Sequence, residues 1–249
     1  MSLKLKYITP KFKKESNPKV GLLALSTDLT IEKDFNSVCQ KLPLDVFVNR
    51  IHNENPLTTE NLLKMHEQIE SITEKILPEE KINTVAYACT SGTIAIGEDK
   101  VREKIQLAKP GCNVTTPITS AIKAFNKMNI KKIAVFTPYP ESVNKTISEY
   151  LIKKNINVMS FSTFNLDLDV DFSRIDPKYL SEVLTNLNIN DSDALFVSCT
   201  ALPALEILDE VEKKINKPVF SSNQTLIWDT IRSVGYKSSI EGYGKLLRN

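Results

Sequence analysis

Histidine is almost missing from this 249-residue chain, with only His52 and His66 present, and the four cysteines, Cys39, Cys89, Cys112 and Cys199, form no CxxC pair and lie far from both. That pattern excludes a zinc site by spacing and, in a reducing compartment, structural disulfides. Seven glycines give no GxGxxG, no P-loop and no GxSxG elbow, so the dinucleotide, nucleotide-phosphate and serine-hydrolase solutions are set aside. Only five of the 32 basic residues are arginine, the net charge is +2, and no basic patch is interleaved with aromatics, which argues against nucleic acid as a partner. No run is long and apolar enough to span a bilayer. The start, "MSLKLKYITPKFKKESNP", lacks a stretch of signal-peptide length before Lys11 to Lys14, which read as a solvated arm. The expectation is a cytoplasmic protein that binds no membrane.

What is there is an ordinary globular composition, 41% apolar and 25% charged, in which apolar β-rich runs alternate with helix-period segments. Residues 19–26, 44–51, 82–90, 131–138, 156–163, 193–200 and 217–222 read as strands. Residues 57–76, 93–108, 118–129, 140–154, 177–187, 203–215 and 223–234 read as helices, with Pro203 suited to a first helical turn. Strands buried on both faces and alternating with helices predict βαβ units and parallel sheets, hence the α/β class.

A repeat is visible within this alternation. "VAYACTSGT" (85 to 93) and "LFVSCTALP" (195 to 203) share an apolar run, then Cys-Thr, then small residues, while "LLALSTD" and "IAVFTPY" superpose at nearly the same offset of about 110 positions. The chain therefore reads as two pseudo-symmetric, flavodoxin-like lobes facing a cleft. The first comprises 1–117 plus 220–249, because "FSSNQTLIWDTIRSVG" lacks a counterpart in the first half and is expected to cross back; the second comprises 118–219. Ligands of open parallel sheets bind beyond the carboxyl ends of the strands. Four such ends, Ser26 to Asp28, Cys89 to Gly92, Thr137 to Tyr139 and Cys199 to Ala201, would then converge and present two thiols from opposite sides.

Each of these cysteines lies at a strand-to-helix turn, where free N–H groups favour a thiolate. Cys39 and Cys112 have no matched partner and read as small buried hydrophobes. Opposed thiols suit chemistry on both faces of one carbon: one removes a proton while the other donates, or one adds to an activated double bond while the other handles the proton. The turn amides and the hydroxyls of Thr90, Ser91 and Thr200 would hold a developing oxyanion. No metal or coenzyme is required. A cysteine–histidine pair with His52 or His66 is disfavoured, since the first reads as a loop residue and the second as a surface residue of an amphipathic helix. A two-lobed binding protein without catalysis is the reading from a different class, disfavoured because binding alone does not need paired thiols.

The stretches "STDLTIEKDF" (26 to 35), "YACTSGT" (87 to 93), "TTPITSA" (115 to 121), "TPY" (137 to 139), "VSCTALPALEILDEVE" (197 to 212) and "SSNQTLIWDTIRSVG" (221 to 235) together resemble the aspartate/glutamate racemase superfamily. Within it the chain is most similar to the maleate cis-trans isomerase and arylmalonate decarboxylase branch. It resembles especially the ectoine-utilisation protein A type, which carries Thr-Asp, here Thr27 and Asp28, where the maleate enzymes carry Ser-Asn. The resemblance implies a cofactor-independent enzyme acting on a small carboxylic or amino acid, commonly as a homodimer or higher homo-oligomer. It implies Cys89 as nucleophile and Cys199 as proton donor or acceptor, with Tyr139, Thr90, Ser91, Thr200 and Ala201 around the substrate carboxylates. Decarboxylases of the branch typically keep only the second cysteine, so an isomerase or racemase is expected, with a decarboxylase using mainly Cys199 as the alternative. Asp28 stands at a carboxylate-binding Asn, and Asp169, with Asn165 as a rival, at a second such position. Either Asp28 meets a cationic or donating substrate group, or it caps the helix that follows.

Overall fold

The computed structural model describes residues 4–12 and 17–249, so Lys13 and Lys14 of the basic arm lie outside the described residues. Among the described residues eight strands form two parallel sheets. The first holds β1 (Lys19–Leu25), β2 (Asp45–Ile51), β3 (Thr84–Tyr87) and β4 (Asn113–Thr115), in the order β2-β1-β3-β4. The second holds β5 (Lys132–Thr137), β6 (Asn157–Thr163), β7 (Ala194–Val197) and β8 (Val219–Ser221), in the order β6-β5-β7-β8. The sheets are topological copies, as the α/β two-lobe reading requires. The central strands are buried along almost their whole length, "TVAY" and "ALFV" without exception, because helices cover both faces of a parallel sheet. The register sets Leu22 between Val48 and Ala86, and Val135 between Phe161 and Phe196.

The helices are α1 (Ile31–Cys39), α2 (Thr59–Lys64), α3 (His66–Glu74), α4 (Thr90–Ile96), α5 (Glu98–Ala108), α6 (Pro117–Lys127), α7 (Glu141–Lys153), α8 (Asp169–Phe172), α9 (Pro177–Thr185), α10 (Leu208–Ile215), α11 (Ser222–Ser233) and α12 (Lys245–Arg248). Several differ from the periodicity reading. Residues 57–76 split into α2 and α3, and 93–108 split at Gly97, whose φ of +97° lets the chain turn between α4 and α5. Pro203 is outside any helix; a 3-10 turn at Leu205–Ile207 precedes α10 instead. Strand β4, of three residues, and helices α1, α8 and α12 fall outside the segments read from the sequence.

Phe220 and Ser221, read above as part of the first lobe, pair with β7 in the second sheet, whereas α11 packs on the first sheet and has a counterpart. On α11, Ser233 Oγ lies 2.7 Å from Thr84 Oγ1 of β3, and Thr230 Oγ1 lies 2.8 Å from Thr115 Oγ1 of β4. Reciprocally, Phe125 of α6 packs edge-on against Phe196 of β7 and Phe220 of β8, at 5.4 and 5.1 Å between ring centroids. Each helix leaves the sheet that it follows and seals the other one, and the two pack on each other. Thr116 and Ser221 start them alike, each side chain accepting an amide hydrogen of the first turn. Short β4 and β8 strands obscured this second pair of matched units. The exchange holds the C-terminal edges of the two sheets together, and those edges carry the candidate site residues.

Candidate active site

Strand β3 ends at Tyr87, and Cys89, two residues on, caps α4 with extended φ and ψ of −145° and 114°. Its Sγ accepts the Gly92 amide hydrogen at 3.2 Å, with Ser91 Oγ at 3.8 Å, and its carbonyl accepts the Thr93 hydroxyl at 2.6 Å. The Gly92 amide directs the sulfur, and the Thr93 bond holds the backbone behind it. Cys199 occupies the equivalent place after β7. The Ala201 amide and the Tyr139 hydroxyl serve its thiol, and the Tyr139 ring is held edge-on against Phe172 at 5.7 Å. Both thiols influence Tyr139, and Asp28 and Asp169 influence both thiols, so residues of the two lobes share one electrostatic site.

Hydrogen bonds close the lobes over that site. Thr30 Oγ1 donates to the Ala201 carbonyl at 2.7 Å, Thr200 Oγ1 to the Ala88 carbonyl at 3.3 Å, and the Asn223 amide to the Thr200 carbonyl at 2.8 Å. Thr90 Oγ1 lies 2.9 Å from Ser222 Oγ. In this closed conformation Cys89 and Cys199 are each only 3% exposed. Burial and the nearby Asp169 charge push the Cys89 thiol up to about 12 and the Cys199 thiol well above its usual value, with the Gly92 and Ala201 amides opposing too weakly. This corrects the expectation of turn amides favouring a thiolate: the amides are there, but desolvation wins.

Two carboxylates complete the set. Asp28 is 1% exposed; its Oδ1 accepts the Thr30 and Ile31 amides at 2.7 and 2.9 Å, starting α1, while Oδ2 is buried without a partner. Burial raises its affinity for a proton, against these amides, the nearby Thr200 hydroxyl and the Arg50 guanidinium. Asp169, at the start of α8, offers Oδ2 to Asn53 Nδ2 at 2.7 Å and to Thr27 Oγ1 at 3.3 Å. Burial and the Asp28 charge raise it to about 6. Asn165, by contrast, is exposed, and so is His52. Sequence reasoning missed Asn53, which ties Thr27 of the first lobe to Asp169 of the second, and Arg50, which donates to the Leu25 and Asp28 carbonyls. Both lie at or just past the end of β2, an end that went unconsidered.

Asp34, one turn along α1, is held by Asn223 Nδ2 at 2.6 Å, and burial raises its carboxyl to about 7. A carboxyl that binds its proton more tightly when folded favours the fold below its unfolded value, and that contribution is lost as pH rises towards 7. Asp34→Asn keeps an acceptor for Asn223 and removes the charge. It is expected to melt a few degrees above the parent at about pH 8 and together with it at about pH 4; equal shifts at both would contradict the assignment.

The molecule is a two-lobed α/β protein with one buried thiol just past a central strand of each sheet. The chain belongs to the arylmalonate decarboxylase family, whose sequence profile matches residues 58–247. It is 23% identical over 245 residues to the maleate isomerase of Geobacillus stearothermophilus, spanning 92% of this chain and 96% of that one. It is 25% identical over 139 residues to the arylmalonate decarboxylase of Bordetella bronchiseptica, spanning 55% and 58%. The fold matches that of the Nocardia farcinica maleate cis-trans isomerase, in a mutant with a covalently bound succinylcysteine intermediate, at a TM-score of 0.85 and 18% identity, covering 94% of this chain and 99% of that one. The branch read from the motifs is thus the right one.

Proposed function

We propose that the protein is a cofactor-independent isomerase of a small carboxylic or amino acid, with Cys89 and Cys199 as its reacting groups. The observation that carries this reading is the pair of equivalent thiols, each set two residues past a central strand, one in each lobe and both under the influence of Asp28 and Asp169. In a racemase or epimerase, one thiolate takes the proton from the carbon beside the carboxyl, and the C–H electron pair moves onto the carboxylate as an enolate. The opposing S–H then protonates the other face, leaving the second cysteine as thiolate. In a cis-trans isomerase, one thiolate adds to the double bond, the carbanion is protonated by the second cysteine, rotation follows, and the reverse steps expel the sulfur. Tyr139, Thr90, Ser91, Thr200 and Ala201 are proposed to hold the carboxylate, with Thr27, Asp28 and Asp169 at the other side of the substrate.

The relatives support both branches, since maleate isomerases and an arylmalonate decarboxylase are among them. The presence of Cys89 as well as Cys199 favours isomerisation, and decarboxylation with Cys199 alone is the second reading. A place in ectoine or hydroxyectoine degradation rests on the Thr27-Asp28 pair; a cytoplasmic location and homo-oligomeric assembly belong to the same proposal. Incubating small amino and unsaturated acids with the protein in heavy water, without added cofactor, tests it by proton NMR. The expected result is deuterium at the reacting carbon or a change of geometry, absent when both cysteines are alanine. Release of carbon dioxide as the only reaction would support the decarboxylase instead.

A further inference from the structure

A groove of 660 Å³ runs between α1 and β2, and no residue of the candidate active site lines it. Phe35 and Cys39 of α1 and Leu44, Val46 and Val48 give it apolar walls, and Glu32, Lys33 and Asp45 are its charged members. Strand β2 is an edge of the first sheet. Its Asp45 amide donates to the Pro18 carbonyl and its Ile51 carbonyl accepts the Ser26 amide, both at 2.9 Å, so the odd-numbered residues turn their backbone groups towards β1. Val46 and Val48 therefore turn theirs outward, where no strand among the described residues meets them. The next outward amide, that of Arg50, is taken by Asn49 Oδ1 at 2.9 Å. Such an edge is a template for another strand unless lysine, proline or a cover blunts it, and β2, "DVFVNRI", holds neither lysine nor proline.

The same chain carries an extended segment that packs on nothing. Residues 4–12, "KLKYITPKF", are all exposed, and Leu5, Tyr7, Ile8 and Phe12, at 65%, 89%, 81% and 85%, are the most exposed large hydrophobic side chains of the described residues. We propose that two copies of the chain exchange these arms, each arm adding a strand to the outer edge of the other copy's β2 with Leu5 and Tyr7 in the groove. Alternation along a strand puts Leu5 and Tyr7 on one face, and Val46 and Val48, also two apart, share the face of β2 that looks onto α1. Pro10 has no N–H to give and ends the pairing. Lys4, Lys6 and Lys11 bring positive charge to Glu32 and Asp45, against Lys33 alone. The chain's own arm leads into β1, on the inner side of β2, and would have to pass round β2 to reach the outer edge; an arm from a second copy meets no such detour. Two β2 edges paired with each other would leave both arms exposed, whereas a two-fold exchange uses both arms and both edges and closes. The inference rests on the proposed homo-oligomeric assembly but not on the thiol chemistry.

Sedimentation velocity of the intact chain between about 1 and 100 µM tests the exchange, and a species of twice the chain's mass is expected. Leu5→Asp combined with Tyr7→Asp changes only the arm, and Val48→Lys changes a groove wall that is 43% exposed. Each variant should sediment at the mass of a single chain, with circular dichroism confirming that it is folded. The arm variant tests the proposal by itself should Val48→Lys fail to fold. Mixed in equal amounts, the two variants should regain the doubled mass, because the intact arm of the second fits the intact groove of the first. A parent of single mass throughout, a doubled mass that survives either substitution, or a mixture that stays at single mass would overturn the proposal. Turnover separates this outcome from the reading of the active site: activity indifferent to Cys89→Ala and Cys199→Ala would sink the isomerase and leave the arm exchange standing.

Discussion

Replacing Cys89 by alanine is expected to lower isomerase turnover by roughly 10²–10⁴-fold while leaving the melting temperature within a few degrees of the parent, since the change removes one small buried sulfur. Cys199→Ala should lose a comparable factor. Each reaction cycle written above passes a proton or a bond through both sulfurs, so neither thiol has a substitute. The double variant should be little worse than either single one, because groups that act as a unit are not additive. The comparison also separates the two enzyme readings. A decarboxylase working through Cys199 would keep most of its rate in Cys89→Ala, whereas an isomerase would not. The structure limits substitution by other groups: Tyr139 serves the Cys199 thiol but is itself held well above its usual value by burial and the two thiols, so it is a poor base to stand in for either.

Gly92→Ala is the other substitution with a large expected effect, and it removes no reacting atom. A Cβ at position 92 would stand 2.7 Å from Cys89 Sγ, 2.7 Å from Met65 Cε and 3.0 Å from Tyr87 Oη. Met65 ends in a flexible thioether and can yield. The sulfur can yield only by rotating away from the Gly92 amide that holds it at 3.2 Å, and Tyr87 is fully buried. Overpacking of this kind costs about 1–3 kcal/mol. Turnover is expected to fall by about 100-fold, because a misplacement of about 1 Å is enough for that. Near-parental turnover by Gly92→Ala would mean that the position of Cys89 Sγ does not matter to the reaction.

Much of this arrangement is legible in the sequence, for physical reasons. The central strands announce themselves because burial on both faces demands continuous apolar runs, and "VAYA" and "ALFV" carry nothing else. Cys89 and Cys199 stood out because a duplicated fold explains matching strands but not matching thiols. At Asp28 the sequence allows either capping or substrate recognition; one oxygen takes the amides at the start of α1, and the second makes no hydrogen bond. The exchange of α6 and α11 was only half legible, since β4 and β8 are three residues each and give no periodicity to match. Asn53 was hidden for another reason: its partners Thr27 and Asp169 are 26 and 116 positions away, and no local pattern encodes such a bond. The ionisation of the thiols departs from the sequence expectation because helix amides are visible in sequence, whereas the burial that outweighs them is a tertiary property.

Cys89 and Cys199 are proposed to act together on one small acid held between the lobes. In the closed structure all four cysteines are equally hidden, with Cys39 at 4% and Cys89, Cys112 and Cys199 at 3% exposure, so static burial alone predicts four equally slow thiols. Alkylation by iodoacetamide, followed by peptide mass spectrometry with and without millimolar L-aspartate or maleate, distinguishes them. Cys89 and Cys199 are expected to be modified together, faster than Cys39 and Cys112, with one of these acids protecting both at once. Four equal rates unaffected by either acid, or protection of one of the pair without the other, would contradict it.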